Sequence, residues 1–123
     1  ITGFGLGGHA LEMALASNVT VVLHAEALPL MPHALEYARD GLIPAGSHLN
    51  RKYWACSTRV AGGVDEALTS LAFDAQTSGG LLLAVPPEQV AEARALRLAG
   101  GDMACEVGEV LEAEADGTAL VLC

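Results

Sequence analysis

The chain has 123 residues, 52% of them apolar, and 15 acidic against six basic side chains give it a formal charge of -9. That length and apolar share predict one domain with a real core and argue against disorder, while the charge repels phosphate backbones and argues against nucleic acid as a partner. No apolar run is long enough to span a bilayer and no signal-like leader is read, so no membrane partner and a cytoplasmic location are expected. Cys56, Cys105 and Cys123 lack zinc-site spacing and read as free thiols.

The opening Ile1-Thr2-Gly3-Phe4-Gly5-Leu6-Gly7-Gly8-His9 starts inside a motif, which predicts a piece of a longer protein. From about Gly5 to Ser17, Phe4, Leu11, Ala14 and Leu15 share one helical face, and Asn18 is a stop signal. A glycine-rich helix entry leaves backbone N–H groups free at the positive end of the helix dipole. Thr2 either caps that end or contacts an anion there, and the glycines lack the Lys and Ser/Thr of a P-loop. Val19–Leu23 is β-branched and reads as a strand. Pro29 and Pro32 frame a turn, after which Ala34, Leu35 and Ala38 mark a second helix ending at Asp40-Gly41.

Between Ile43 and Gly63 the periodicity fades, and no regular element is predicted. This stretch holds Arg51, Lys52 and Arg59, a basic spot that meets phosphate, a partner carboxylate or only solvent. Tyr53 and Trp54 beside it read as an interface anchor or as core. His9, His24, His33 and His48 stand singly and are read as packed or surface residues rather than ligands.

Val64–Ala72 forms a helix with Ala67, Leu68 and Leu71 inward. It delivers the chain to Asp74-Ala75-Gln76-Thr77-Ser78-Gly79-Gly80, a polar loop that feeds Leu81–Val85, read as a buried strand. Gly79 and Gly80 allow close backbone approach, and Thr77 and Ser78 offer hydroxyls beside open amides. That chemistry suits an oxyanion or a tight packing corner in which Asp74 caps a turn. Pro86-Pro87 starts a helix through Leu98 with a buried stripe of Val90, Ala91, Ala95 and Leu98, stopped by Gly100-Gly101. Met103–Val110 alternates as a strand with Cys105 pointing inward, Asp116-Gly117 is a turn, and Ala119–Leu122 returns as the last strand, giving a hairpin.

Ile1-Thr2-Gly3-Phe4-Gly5-Leu6 with Gly8-His9, and Asp74 with Gln76-Thr77-Ser78-Gly79-Gly80-Leu81-Leu82, resemble the two C-terminal signature segments of selenophosphate synthetase (selenide, water dikinase). The Pro29-Leu30 turn, the Ala34 to Gly41 helix and the Pro44, Gly46 and Asn50 spacing resemble it too, so the likeness spans nearly the whole chain. Gly7 replaces a usual leucine and Ala75 a usual proline, departures that loosen a helix start and a turn. The wider aminoimidazole ribonucleotide synthetase superfamily shares a Thr-Gly-x-Gly turn but not Gln-Thr-Ser-Gly-Gly.

The resemblance implies an α+β fold, a mixed sheet covered by helices, forming the C-terminal domain of a two-domain enzyme. That enzyme makes selenophosphate, AMP and phosphate from ATP, selenide and water, with Mg2+ holding the polyphosphate. Its reactive Cys or selenocysteine, the neighbouring lysine and most ATP and metal carboxylates would belong to an N-terminal domain, and a further metal aspartate would stand just before Ile1. No catalytic or metal residue is therefore expected within 1–123. Thr2, Gly3, Gly5, Thr77, Ser78, Gly79 and Gly80 are the candidates for facing phosphate in the shared cleft. The expected partners are the N-terminal domain, a second subunit when full length, and small-molecule substrates. The rival readings are a superfamily synthetase or kinase with another acceptor, and a non-catalytic binding module.

Overall fold

In a computed structural model describing residues 1–123, the order is α1 (Gly5–Ser17), β1 (Val19–Leu23), α2 (Ala34–Arg39), α3 (Ala45–Trp54), β2 (Thr58–Val60), α4 (Glu66–Ala72), α5 (Val90–Ala99), β3 (Gly108–Glu112) and β4 (Leu120–Leu122). The strands form one mixed sheet in the order β2-β4-β1-β3, parallel across β2, β4 and β1 and antiparallel between β1 and β3. This is the α+β class expected. No helix is long and apolar enough to cross a membrane.

β1 and β4 are buried along nearly their whole length, so each needs a partner on both edges, and they occupy the centre. β3 carries Glu109 and Glu112 and lies exposed at an edge, where charge discourages further pairing. The expected hairpin between the last two strands is therefore not formed: β3 and β4 flank β1 from opposite sides. The Asp116-Gly117 turn exists, with Gly117 at φ +84 and the Thr118 N–H donating to Asp116 Oδ1, but it belongs to a crossover. Buried Thr20 ties that crossover down, its hydroxyl donating to Thr118 O at 2.8 Å and accepting from the Glu114 N–H at 3.1 Å.

One core joins α1 and α4 to the inward side chains of β1 and β4, with Phe73 fully buried among them. α1 stops at Asn18 as predicted, in the left-handed conformation. Its inward face is narrower than expected: Leu11 and Ala14 are buried, whereas Phe4 is 49% and Leu15 50% exposed. Gly7, Gly8 and Ala10 complete that face and let neighbours approach closely. A Cβ on Gly7 would stand 2.8 Å from the Phe73 ring, so the unusual glycine makes a seat for the core's largest buried side chain.

Residues 43–63, where no element was predicted, contain α3, a 3-10 turn at Ala55–Ser57 and β2. The inward residues of α3 are Ser47, Asn50 and Trp54, and the first two turn hydrogen-bonding groups toward their neighbours, so apolar periodicity could not reveal the helix.

The opposite correction applies at Leu81–Val85. This apolar run makes no backbone hydrogen bond and no strand, and Leu81 and Leu83 are 74% and 56% exposed while Leu82 packs against the core. Apolar composition favours extended backbone, but sheet membership also requires a free strand edge in register. The predicted stripe on α5 is not buried either: no residue of that helix is, and it packs mainly on the Pro87–Gln89 turn before it. β3 begins only at Gly108, so Met103–Val107 lies outside the ladder and Cys105 is exposed, like Cys56 and Cys123.

Candidate functional site

The two motif segments, far apart in sequence, lie side by side. Ile1 exchanges hydrogen bonds with the glycine pair, its terminal N donating to Gly80 O at 2.7 Å and its carbonyl accepting from the Gly79 N–H at 2.8 Å. One residue on, Thr2 O accepts from the Gln76 N–H at 3.1 Å and from the Gly5 N–H at 3.0 Å. Gly5 has φ +71, and a Cβ there would lie 2.6 Å from the Phe73 carbonyl carbon. A Cβ on Gly79 would come 2.8 Å from Ile1 O. These two positions are glycine because backbone passes over backbone.

Asn50 of α3 locks the corner. Its side-chain nitrogen donates to Gly3 O at 2.8 Å and Phe73 O at 3.1 Å, joining three segments. Asp74 is held as firmly: Oδ1 accepts from the Ser47 hydroxyl at 2.6 Å and Oδ2 from Gln76 Nε2 at 2.8 Å. Ser47, 2% exposed, also accepts from the Ala75 N–H at 3.3 Å. Asp74 thus braces the loop from within rather than capping it through its own backbone.

Thr77 and Ser78 emerge from this brace exposed, with no protein partner for their hydroxyls and no backbone N–H donated within the chain. Gly3 and Gly80 are open as well, with no atom within 4 Å of where a Cβ would stand. The arrangement presents free hydroxyl and amide donors on a stiff corner, which suits an oxyanion. Thr2 does not cap the helix. Phe4 is the N-cap of α1 and makes no side-chain cap bond, while the Thr2 hydroxyl lies 3.0 Å from His9 Nε2. His9 Nδ1 in turn lies 2.8 Å from Glu12 Oε2, so a histidine read as solitary has partners on both nitrogens. Helical spacing could have pointed to Glu12; only the fold brings Thr2 back.

The basic spot disperses in three dimensions. Arg51 pairs with Glu66 and Arg59 with Glu114, and Arg39, Arg94 and Arg97 each meet a carboxylate as well. The bound guanidinium holds Asp65, Glu66 and Glu114 below the usual carboxylate range, and the Thr118 amide does the same for Asp116. Lys52 is the one base in no ion pair. It shares an open groove of about 810 Å³ with Phe4, Leu49, Tyr53, Trp54 and Glu12, Tyr53 and Trp54 meeting edge to face at 4.9 Å. Trp54 reaches the core, and Tyr53 remains exposed.

No three His, Cys, Asp or Glu side chains converge as a metal site, and the one carboxylate in the corner, Asp74, has both oxygens engaged. Magnesium asks for a near-octahedral oxygen shell. The side chains of this corner do not form one by themselves.

Residues 1–120 match the family described as AIR synthase related protein, C-terminal domain. The chain is 53% identical over 122 residues to a selenide, water dikinase of Nitratidesulfovibrio vulgaris (strain Miyazaki F), covering 99% of this chain and 35% of that protein. It is 43% identical over 111 residues to the selenide, water dikinase of Trichlorobacter lovleyi and 40% identical over 112 residues to that of Clostridioides difficile, covering 90% of this chain and 32% of each relative. The chain therefore spans about a third of the length of these relatives. The resemblance read from Ile1–His9 and Asp74–Leu82 is borne out by them. On the match over residues 1–120, the chain belongs to the family of AIR synthase related proteins, as their C-terminal domain.

Proposed function

We propose that this chain is the C-terminal domain of a cytoplasmic, ATP-dependent selenophosphate synthetase, and that it helps close the active site over ATP and selenide. The observation that carries the reading is the braced corner from which Thr77 and Ser78 project free hydroxyls and amides beside Thr2 and Gly3. Fixed donors cost no reorganisation when charge develops on a transferring phosphoryl group, which is where much of the catalysis of phosphoryl transfer lies. ATP, Mg2+ and the reactive thiol or selenol would be held by an N-terminal domain, and two such full-length subunits would associate. With Asp74 fully engaged, the 123-residue chain alone binds magnesium too weakly to catalyse the reaction.

The test joins this chain to the N-terminal two thirds of the Nitratidesulfovibrio relative and follows AMP by phosphorus NMR with ATP, magnesium and selenide. The fusion makes AMP and the chain alone makes none. A Thr77→Ala, Ser78→Ala variant leaves the unfolding midpoint of the chain unchanged and lowers kcat of the fusion about 10²-fold. An undiminished rate would return the loop to a packing role, and AMP formation by the chain alone would overturn the division of labour.

A further inference from the structure

We propose that Thr2, His9 and Glu12 form a proton relay beside the cleft, with the Thr2 hydroxyl as the group that meets a water nucleophile. The reaction it serves rests on the function proposed above; the relay itself rests on geometry. Glu12 Oε2 lies 2.8 Å from His9 Nδ1, and His9 Nε2 lies 3.0 Å from Thr2 Oγ1. An ionised carboxylate only accepts hydrogen bonds, so Nδ1 carries a ring proton, and in the neutral form of the imidazole Nε2 turns its lone pair to Thr2. The Thr2 hydroxyl then donates inward. Its oxygen lone pairs have no other partner and face solvent, one residue from the Ile1 contact with Gly79 and Gly80.

This is the acid–base–hydroxyl order of an activated nucleophile system, in which the outer oxygen gains basicity from the ring behind it. A water hydrogen-bonded to Thr2 Oγ1 passes its proton to that oxygen as the Thr2 proton moves to His9 Nε2. The water oxygen forms the bond to phosphorus, the bond to the leaving oxygen breaks with its electron pair, and the proton rests on an imidazolium that Glu12 stabilises. Thr2 is the member that touches the nucleophile, and His9 and Glu12 are positioning residues.

The chain contains its own control. His33 and Glu36 have the same i,i+3 spacing, with Nδ1 2.6 Å from the carboxylate, yet that ring is 65% exposed and Nε2 has no side-chain partner. The His9 side chain is 25% exposed, its ring centroid 5.8 Å from that of Phe4, and its second nitrogen is engaged. Besides Glu12 on its own helix, the other charged residue lining the adjoining groove is Lys52 of α3.

The experiment has two arms. Nitrogen-15 NMR of the imidazole rings in the 123-residue chain should find His9 as the Nδ1–H tautomer. Glu12→Ala, which removes the acceptor, should remove that preference, and Thr2→Val should shift the Nε2 resonance while leaving His33 unmoved. A His9 with the same tautomer mixture as His33, or one indifferent to Thr2→Val, overturns the relay whether or not any enzyme activity is found. In the fusion described above, Thr2→Val and His9→Asn should each lower kcat about 10²-fold with KM little changed, Thr2→Ser should recover most of the loss, and the acid limb of the pH–kcat profile should vanish in His9→Asn. Equal kcat for Thr2→Val and the parent overturns the relay, while a fusion that makes no AMP overturns only the proposed function.

Discussion

Asn50 donates from one nitrogen to two main-chain carbonyls, Gly3 O and Phe73 O, and so ties α3 to both motif segments. Gly3 and Phe73 both lie outside the helices and strands, so neither carbonyl has a ladder to satisfy it, and truncation leaves two acceptors to find water in a half-buried corner. Asn50→Ala should cost about 1–3 kcal/mol in urea unfolding. Asn50→Asp should cost more at neutral pH, because a carboxylate would face two carbonyl oxygens, and should recover part of the loss when that carboxylate is protonated in acid. A smaller loss for Asp than for Ala at neutral pH would mean that the two bonds do not hold the corner. Sequence spacing brought Asn50 into the resemblance without giving it a task; its task is to splice segments.

Among the elements, α4 is started and clamped by one side chain. Asp65 Oδ1 accepts from the Ala67 N–H at 2.8 Å as the N-cap, while Oδ2 accepts from Arg39 of α2 through Nε at 3.1 Å and Nη2 at 2.6 Å. Arg39 first, then the Ala67 amide, lower the Asp65 carboxyl below its ordinary value, and Arg51 does the same for Glu66. A carboxylate with a depressed folded value stabilises the fold above its unfolded value, near pH ~4, and loses that contribution as pH falls through the folded value. Thermal melts should therefore be flat from about pH 7 to about 5 and fall below about 4, and Arg39→Met should shallow that acid limb. An acid limb unchanged by Arg39→Met would place the sensitivity elsewhere. At the other extreme, α5 buries no residue and should open locally at low cost. Amide exchange in Val90–Ala99 should be complete while β1 and β4 remain protected; equal protection would mean that α5 is covered in solution.

For the whole molecule, the apolar fraction outruns the core. Leu81, Leu83, Leu96, Leu98 and Met103 are all more than half exposed and lie in one continuous stretch of the chain that adds no strand to the sheet and no fully buried residue to the core. Extended backbone with unpaired N–H and C=O groups and exposed leucines is a template for association. The isolated chain should sediment with a mass that rises with concentration, and Leu81→Ser with Leu83→Ser should suppress the rise without lowering the unfolding midpoint. A single monomeric species at all concentrations would sink that expectation.

What the sequence by itself determined were the features carried by local patterns. The β-branched run placed β1, Asn18 ended α1, Asp116-Gly117 made a turn, and the Thr-Gly and Gln-Thr-Ser-Gly-Gly segments named the family, because each depends on backbone preferences or identities readable within a few residues. Only the tertiary structure decided the remainder. α3 turns polar groups inward and so leaves no apolar period, Leu81–Val85 has strand composition but hydrogen-bonds to no strand, and the last two strands divide around β1 because a doubly buried strand takes partners on both sides. The site follows the same rule. Gly5, Gly79, Asn50 and Asp74 are placed by side-chain and main-chain hydrogen bonds and by missing Cβ atoms, and His9 finds Thr2 across a glycine turn, interactions that depend on distance in space and leave no periodicity in the chain.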